Sequence, residues 1–310
     1  MYYHLDTSRF NFRLALNPRS AMKYWKILWP LVPTLLFTVY FLSRVRSREM
    51  RSPTENTAIG GIVSFAKFTV IVDNNPGGPG LLTRWGVSIL VEADNHTILF
   101  DTGPDPEALK LNMQALGVNV ENIDTIFISH GHHDHVGGIS YIAEAKRGAM
   151  VYLPSHAGKS LKEGLKRLGL KVVEVSEPTE IYPGIISLGE MYGPPYEHSL
   201  AVCLREGVVV VVGCSHPGVE KIVKKAYEAT GKPVIMVIGG MHLGGASEER
   251  LKSIVDTFRS VGVKAVFPIH CSGDNARRYF EAALGEAYMD GHVGVKVAVQ
   301  SGKIEIIGGN

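Results

Sequence analysis

From about residue 60 onward, short apolar runs rich in β-branched residues alternate with stretches of helical spacing. Runs at 67–72, 87–92, 97–100, 125–129, 150–153, 171–175, 199–204, 208–212, 234–238, 265–269, 295–299 and 303–307 are bounded mostly by Gly or Pro and predict strands. Stretches at 106–116, 136–146, 156–168, 219–229, 248–261 and 275–284 predict helices, with Ser247 and Asp274 placed to cap the last two. Early strands follow one another as hairpins, while later ones are separated by helices. That mixture predicts an α/β fold of stacked sheets with helices outside, one domain over residues 61–310.

The N-terminal pattern is different. Residues 27–43, ILWPLVPTLLFTVYFLS, carry no charge and reach the lower limit for a membrane-spanning helix. Trp25, Trp29, Tyr40 and Phe41 fall where interfacial anchors sit. One reading is a membrane anchor between a basic tail (1–26) and a charged linker (44–60). A secretory signal, here without a clean small-residue cleavage site, and a working start near Met50 are the other readings. Basic residues flank the run on both sides, so the charge pattern sets no orientation.

Composition narrows the function classes. Among 310 residues, 45% are hydrophobic and 20% charged, enough for a sizeable core, and the net charge is only +2. No basic stripe follows residue 60, so a nucleic-acid partner is not expected. Three cysteines do not make a disulfide framework.

The chemistry concentrates at Ser129–Gly138, SHGHHDHVGG, directly after the run Ile126-Phe127-Ile128. His130, His132, Asp134 and His135 give the pattern HxHxDH, donors typical of zinc and similar divalent metals. Gly131, Gly137 and Gly138 allow the backbone to turn closely. Three further apolar runs break into small-residue turns that carry histidine. They present Cys214, Ser215 and His216 in GCSHPG, His242 in GGMHLGG, and His270 and Cys271 in PIHCSG. His4, His96, His156 and His292 read as ordinary tail or loop residues.

The HxHxDH loop, ILFDTG at 98–103 and PIHCSG resemble the metallo-β-lactamase superfamily over about residues 65–310. With VDNNPG, WGVSILVE, LFDTGPDP, GCSHPG and GGMHL, the chain resembles a narrower group, the dihydropterin-methyl ribofuranosylaminobenzene phosphate synthases of archaeal methanopterin biosynthesis. The resemblance implies an αββα sandwich with a binuclear metal site at one edge. By motif, His130 and His132 would bind one metal, and Asp134, His135 and His270 the other, with Asp101 orienting a ligand imidazole. Zinc is the first expectation; manganese and iron suit the same donors. Many members complete the site with a His before one strand and a bridging Asp after the next. His198, in YEHSLAV, stands at the first position, and Cys214 falls at the second. Cys214 is then a thiolate ligand or a packed turn residue, and His216 is preferred to His198 for completing the first site.

The implied function is a metal-dependent enzyme acting on a phosphate- or diphosphate-bearing small molecule. In the narrower group it would join a dihydropterin methyl diphosphate to ribofuranosylaminobenzene phosphate. A phosphodiester or ester hydrolase using a metal-bound hydroxide is the second reading, and a membrane-tethered metal-binding protein the third. His242 and Arg84, the latter in PGGPGLLTRWG, are candidates to meet an anionic substrate, and Tyr192 and Tyr196 to stack on a flat ring.

Overall fold

A computed structural model describes residues 60–307. The 1–26 tail, the 27–43 segment and all but the end of the 44–60 linker lie outside the described residues. Among those described, no helix is long and apolar enough to cross a membrane.

Two sheets carry the fold. The first contains β1 (Phe65–Val72), β2 (Ser88–Ala93), β3 (His96–Phe100), β4 (Thr125–Phe127), β5 (Met150–Pro154), β6 (Lys171–Val175), β15 (Lys296–Gln300) and β16 (Lys303–Ile306). Their spatial order is β16-β15-β1-β2-β3-β4-β5-β6. The second contains β7 (Thr179–Tyr182), β8 (Ile185–Ser187), β11 (Leu200–Cys203), β12 (Val208–Val212), β13 (Val234–Gly240) and β14 (Ala265–Ile269), in the order β14-β13-β12-β11-β8-β7. A separate hairpin pairs β9 (Met191–Tyr192) with β10 (Tyr196–Glu197). Strands β7–β10 escape the sequence pattern because each is short and the segment is broken by Pro and Gly.

Alternating side chains decide the layering. In β12, Val209 and Val211 pack between the sheets with Phe68, Phe100, Phe127 and Phe267. Val208, Val210 and Val212 point the other way, against Val223, Leu251 and Phe258. A strand buried on both faces therefore reads as an unbroken valine run. Val223 lies on α5 (Val219–Thr230), and Leu251 and Phe258 on α6 (Glu248–Val261); α7 (Asp274–Leu284) joins this layer through Ala276 and Phe280. On the far side of the first sheet, Leu99, Ile126 and Val151 pack against α1 (Pro106–Ala115), α3 (Ile139–Ala145) and α4 (Lys159–Arg167). The result is an α/β fold layered as helices, sheet, sheet, helices.

Ser247 caps α6 as expected, accepting from Arg250 N. Asp274 does not cap α7; it lies in the first turn, behind a Gly273 with φ 80°. The single helix expected at 136–146 is two, a short α2 (His133–Val136) and α3, divided at Gly137-Gly138. Packing explains the break. A Cβ on Gly137 would stand 1.9 Å from Pro104 O, and one on Gly138 2.1 Å from Thr102 O.

Strands β3 to β6 run parallel, as do β12 to β14. Their carboxyl ends carry the chemistry, as is general for layered α/β proteins. Asp101 follows β3, His130 follows β4, Cys214 and His216 follow β12, His242 follows β13, and His270 follows β14.

Candidate metal centre

The strand ends bring two donor trios together. His130, His132 and His216 form one, and Asp134, His135 and His270 the other, with the ligand atoms of each within 4.8 Å of one another. Cys214 joins His130 and His135 in a third grouping, so its sulfur stands at the seam between the trios. Its Sγ is 3.2 Å from His135 Nε2.

Each trio is held from behind. His135 Nδ1 donates to Asp101 Oδ2 at 2.7 Å, and the same carboxylate accepts from Ser129 N at 2.7 Å and Ser129 Oγ at 2.6 Å. Asp101 thus fixes both the start of the histidine loop and one imidazole, the orienting role expected of it. His216 Nδ1 donates to Glu197 Oε2 at 2.8 Å, and Glu197 also accepts from the amides of Cys214, Ser215 and His216. His270 Nδ1 meets Asn74 Oδ1 at 3.1 Å, and His270 N donates to Asp73 Oδ1 at 2.7 Å. Such partners set the tautomer and the direction of a metal-binding imidazole.

The donor set fits a divalent metal on its own geometry. His130 Nε2 and His132 Nδ1 lie only 3.0 Å apart, two ring nitrogens aimed at one point. His270 Nε2 is buried without a hydrogen-bond partner; it comes within 3.3 Å of Asp134 Oδ2 but out of alignment. Asp101, Ser215, His242 and His270 have φ of 55, 62, 50 and 52°, a left-handed backbone that costs non-glycine residues on the order of 1–3 kcal/mol each.

Electrostatics follow the burial. Burial, with crowding by His135 and His216, drives His130 well below the ordinary imidazole value. Burial also lifts the Asp101 carboxyl, despite His135 and Ser129. Burial opposes charge on His135, but Asp101 outweighs it and raises that imidazole. Burial pushes Asp134 up, yet the adjacent His270 and His135 imidazoles hold it well below the usual carboxylate range. Glu197 is likewise lowered against its burial by His216 and backbone amides. Cys271 Sγ donates to Cys214 O at 3.7 Å, and the closeness of the two thiols lowers Cys271 and raises Cys214. His242 is raised, first by its hydrogen bond to Cys271.

Two sequence expectations need correction. His198 is not brought to the trios. It is buried, stacked 3.9 Å from Phe127, with Nε2 donating to Ile128 O and Nδ1 accepting from Ser187 Oγ at 2.9 Å each. Both nitrogens are spent on the inter-sheet core, and burial pulls its pKa down to about 3. Arg84 is turned to the surface, with Nε 3.5 Å from Asp105 Oδ2 and Nη1 donating to Thr83 O. Its neighbour Trp85 reaches the site instead, 61% exposed, with its ring 5.1 Å from that of His270. His242 lies beside the first trio, its ring 4.8 Å from His216. Tyr192 is exposed and Tyr196 stacks on His156 at 4.4 Å. The turn between the tyrosines reaches the first trio, since a Cβ on Gly193 would stand 2.3 Å from the His216 carbonyl carbon.

Sequence reasoning missed Glu197, Asp73, Asn74 and Trp85. The signals were present: Glu197 precedes His198, Asp73 and Asn74 open VDNNPG, and Trp85 opens WGVSILVE.

The family model described as the metallo-beta-lactamase superfamily matches residues 86–253. A 7,8-dihydropterin-6-methyl-4-(beta-D-ribofuranosyl)-aminobenzene-5'-phosphate synthase of Methanocaldococcus jannaschii is 28% identical, over 76% of this chain and 97% of the relative. An uncharacterized protein of the same organism is 31% identical, over 74% of this chain and 99% of its own length. A solved structure, a metal-dependent hydrolase of the beta-lactamase superfamily, superposes with a TM-score of 0.66 at 29% identity, over 76% of this chain and all (100%) of the other.

Proposed function

The chain belongs to the metallo-β-lactamase superfamily, and we propose that it is a binuclear metal-dependent enzyme acting on a phosphate- or diphosphate-bearing small molecule. The observation that carries this reading is the pair of donor trios, His130/His132/His216 and Asp134/His135/His270, joined at Cys214. Two divalent metals, zinc first among them, would be held by those residues. Bound there, they supply Lewis acidity toward phosphate oxygens and a lowered pKa for water.

The remaining roles belong to the chain. Asp134 is the one carboxylate among the six donors, is kept ionised by His270 and His135, and has 22% of its side-chain surface exposed. It is placed to accept a proton from the attacking group. His242, exposed beside His216 and raised by Cys271, meets an anionic group of the substrate. Trp85 offers a flat face at the His270 side, and Tyr192 another beyond His216.

Likeness to the synthase supports a coupling reaction. The aminobenzene nitrogen would attack the dihydropterin methylene. The carbon–oxygen bond to diphosphate breaks, its electron pair leaves with diphosphate, and the amine proton passes to Asp134. The likeness to a metal-dependent hydrolase favours the second reading, attack by water on a phosphoester or ester. Incubation of the metal-loaded chain with both coupling partners separates the two. A coupled product, lost in Asp134→Asn, supports the synthase. Hydrolysis of the diphosphate alone supports the hydrolase, and neither product refutes the proposed substrate class.

A further inference from the structure

Cys214, Cys271 and His242 form a constellation that the two trios do not absorb. Their two sulfurs and one imidazole nitrogen lie within 4.8 Å of one another. Topology explains the meeting. Strands β12 and β14 flank β13 in a parallel set, and the three residues sit in the turns just beyond the three strands. Gly240 is the floor that lets the sulfur in: a Cβ there would stand 2.9 Å from Cys271 Sγ and 2.4 Å from Gly213 O. Both thiols are buried and free, whereas His242 is exposed and closes the third corner with a left-handed backbone, φ 50°.

We propose that Cys214, Cys271 and His242 are a site for a thiophilic cation such as zinc, cadmium or copper(I), additional to the two donor trios. Donors about 2.3 Å (sulfur) and 2.0 Å (nitrogen) from a shared metal stand roughly 3–4 Å from each other, which the observed spread admits. Two thiolates and one imidazole are a soft set, unlike the imidazole and carboxylate donors of the trios. A fourth position is left for water or a ligand on the exposed His242 side. On binding, the cation replaces the thiol protons, which pass to solvent. Because Cys214 Sγ is also 3.2 Å from His135 Nε2, occupancy of this site is linked to that of the second trio. The inference stands on these three residues and not on the catalytic reading.

Cadmium titration of the full, reduced, metal-stripped chain tests it, read by thiolate-to-cadmium ultraviolet absorption and cadmium NMR. The expected result is one cadmium with two thiolates and a nitrogen, retained in His130→Ala. Its affinity falls about tenfold or more in Cys271→Ser and in His242→Ala. The NMR shift of the unmodified protein reports the sulfur count directly, so the test survives a variant that does not fold. A single-thiolate signal, unchanged in Cys271→Ser, would show that Cys214 serves only the trios and overturn the proposal. So would a Cys214–Cys271 disulfide in the native protein with no thiolate-bound cadmium after reduction.

Discussion

Glu197 makes the residue-scale argument most sharply. It is buried, it accepts from three consecutive amides, and it orients His216. Glu197→Gln keeps the volume but loses the charge, and is expected to weaken metal binding at the first trio by about 10- to 100-fold with the fold intact. Competition with a calibrated chelator, alongside circular dichroism, checks this. His198, its neighbour, works through the core instead. Its pKa of about 3 lies below the unfolded value of 6.5. Between those values the unfolded chain binds more protons, so the stability held above 6.5 is lost as pH falls toward 3. The contribution is on the order of 4 kcal/mol. In metal-stripped protein, denaturant titrations from pH 7 to 4 should show that slope, and His198→Gln should flatten it.

This adjacent pair also shows what the sequence made legible. HxHxDH, the late PIHCSG and the orienting Asp101 could be placed from motif alone, because strand-end turns keep their donors within a few residues. Motif alone gave a preference for His216 over His198 but not its physical reason. The choice depends on which side of a strand faces the sheet interior, and the extended run ahead of β11 sends Glu197 to the site and His198 into the core. VDNNPG was visible as a motif, but the pairing of Asp73 and Asn74 with His270 was hidden, since it spans a sequence separation of 196 residues or more.

At the scale of elements, the strands and helices were largely readable and their ends were not. Alternation in β12 and the capped α6 follow local rules. The division between α2 and α3 does not, because it answers to the 102–104 loop pressed against Gly137 and Gly138. Gly137→Ala would drive a methyl group into Pro104 O. It should cost about 1–3 kcal/mol in denaturant unfolding and shift the histidine loop with it. An unchanged unfolding midpoint would mean that the loop yields without strain.

At the scale of the molecule, two sheets converge their strand ends on one edge, and the core behind that edge is built mainly of apolar side chains, with His198 among them. Metal that binds only the folded form adds stability by mass action, about 2.7 kcal/mol at a hundredfold excess over Kd. Chelation should therefore lower the thermal midpoint, and zinc should restore it. The central claim is the binuclear centre, and metal content tests it most directly. The full chain carrying Cys271→Ser, which disables the thiol site, would be reconstituted with zinc, freed of excess and assayed by elemental analysis. The account predicts about two equivalents per chain, falling to about one on adding either His216→Ala or His270→Ala. A folded protein that retains no zinc, or whose content neither substitution changes, would contradict it.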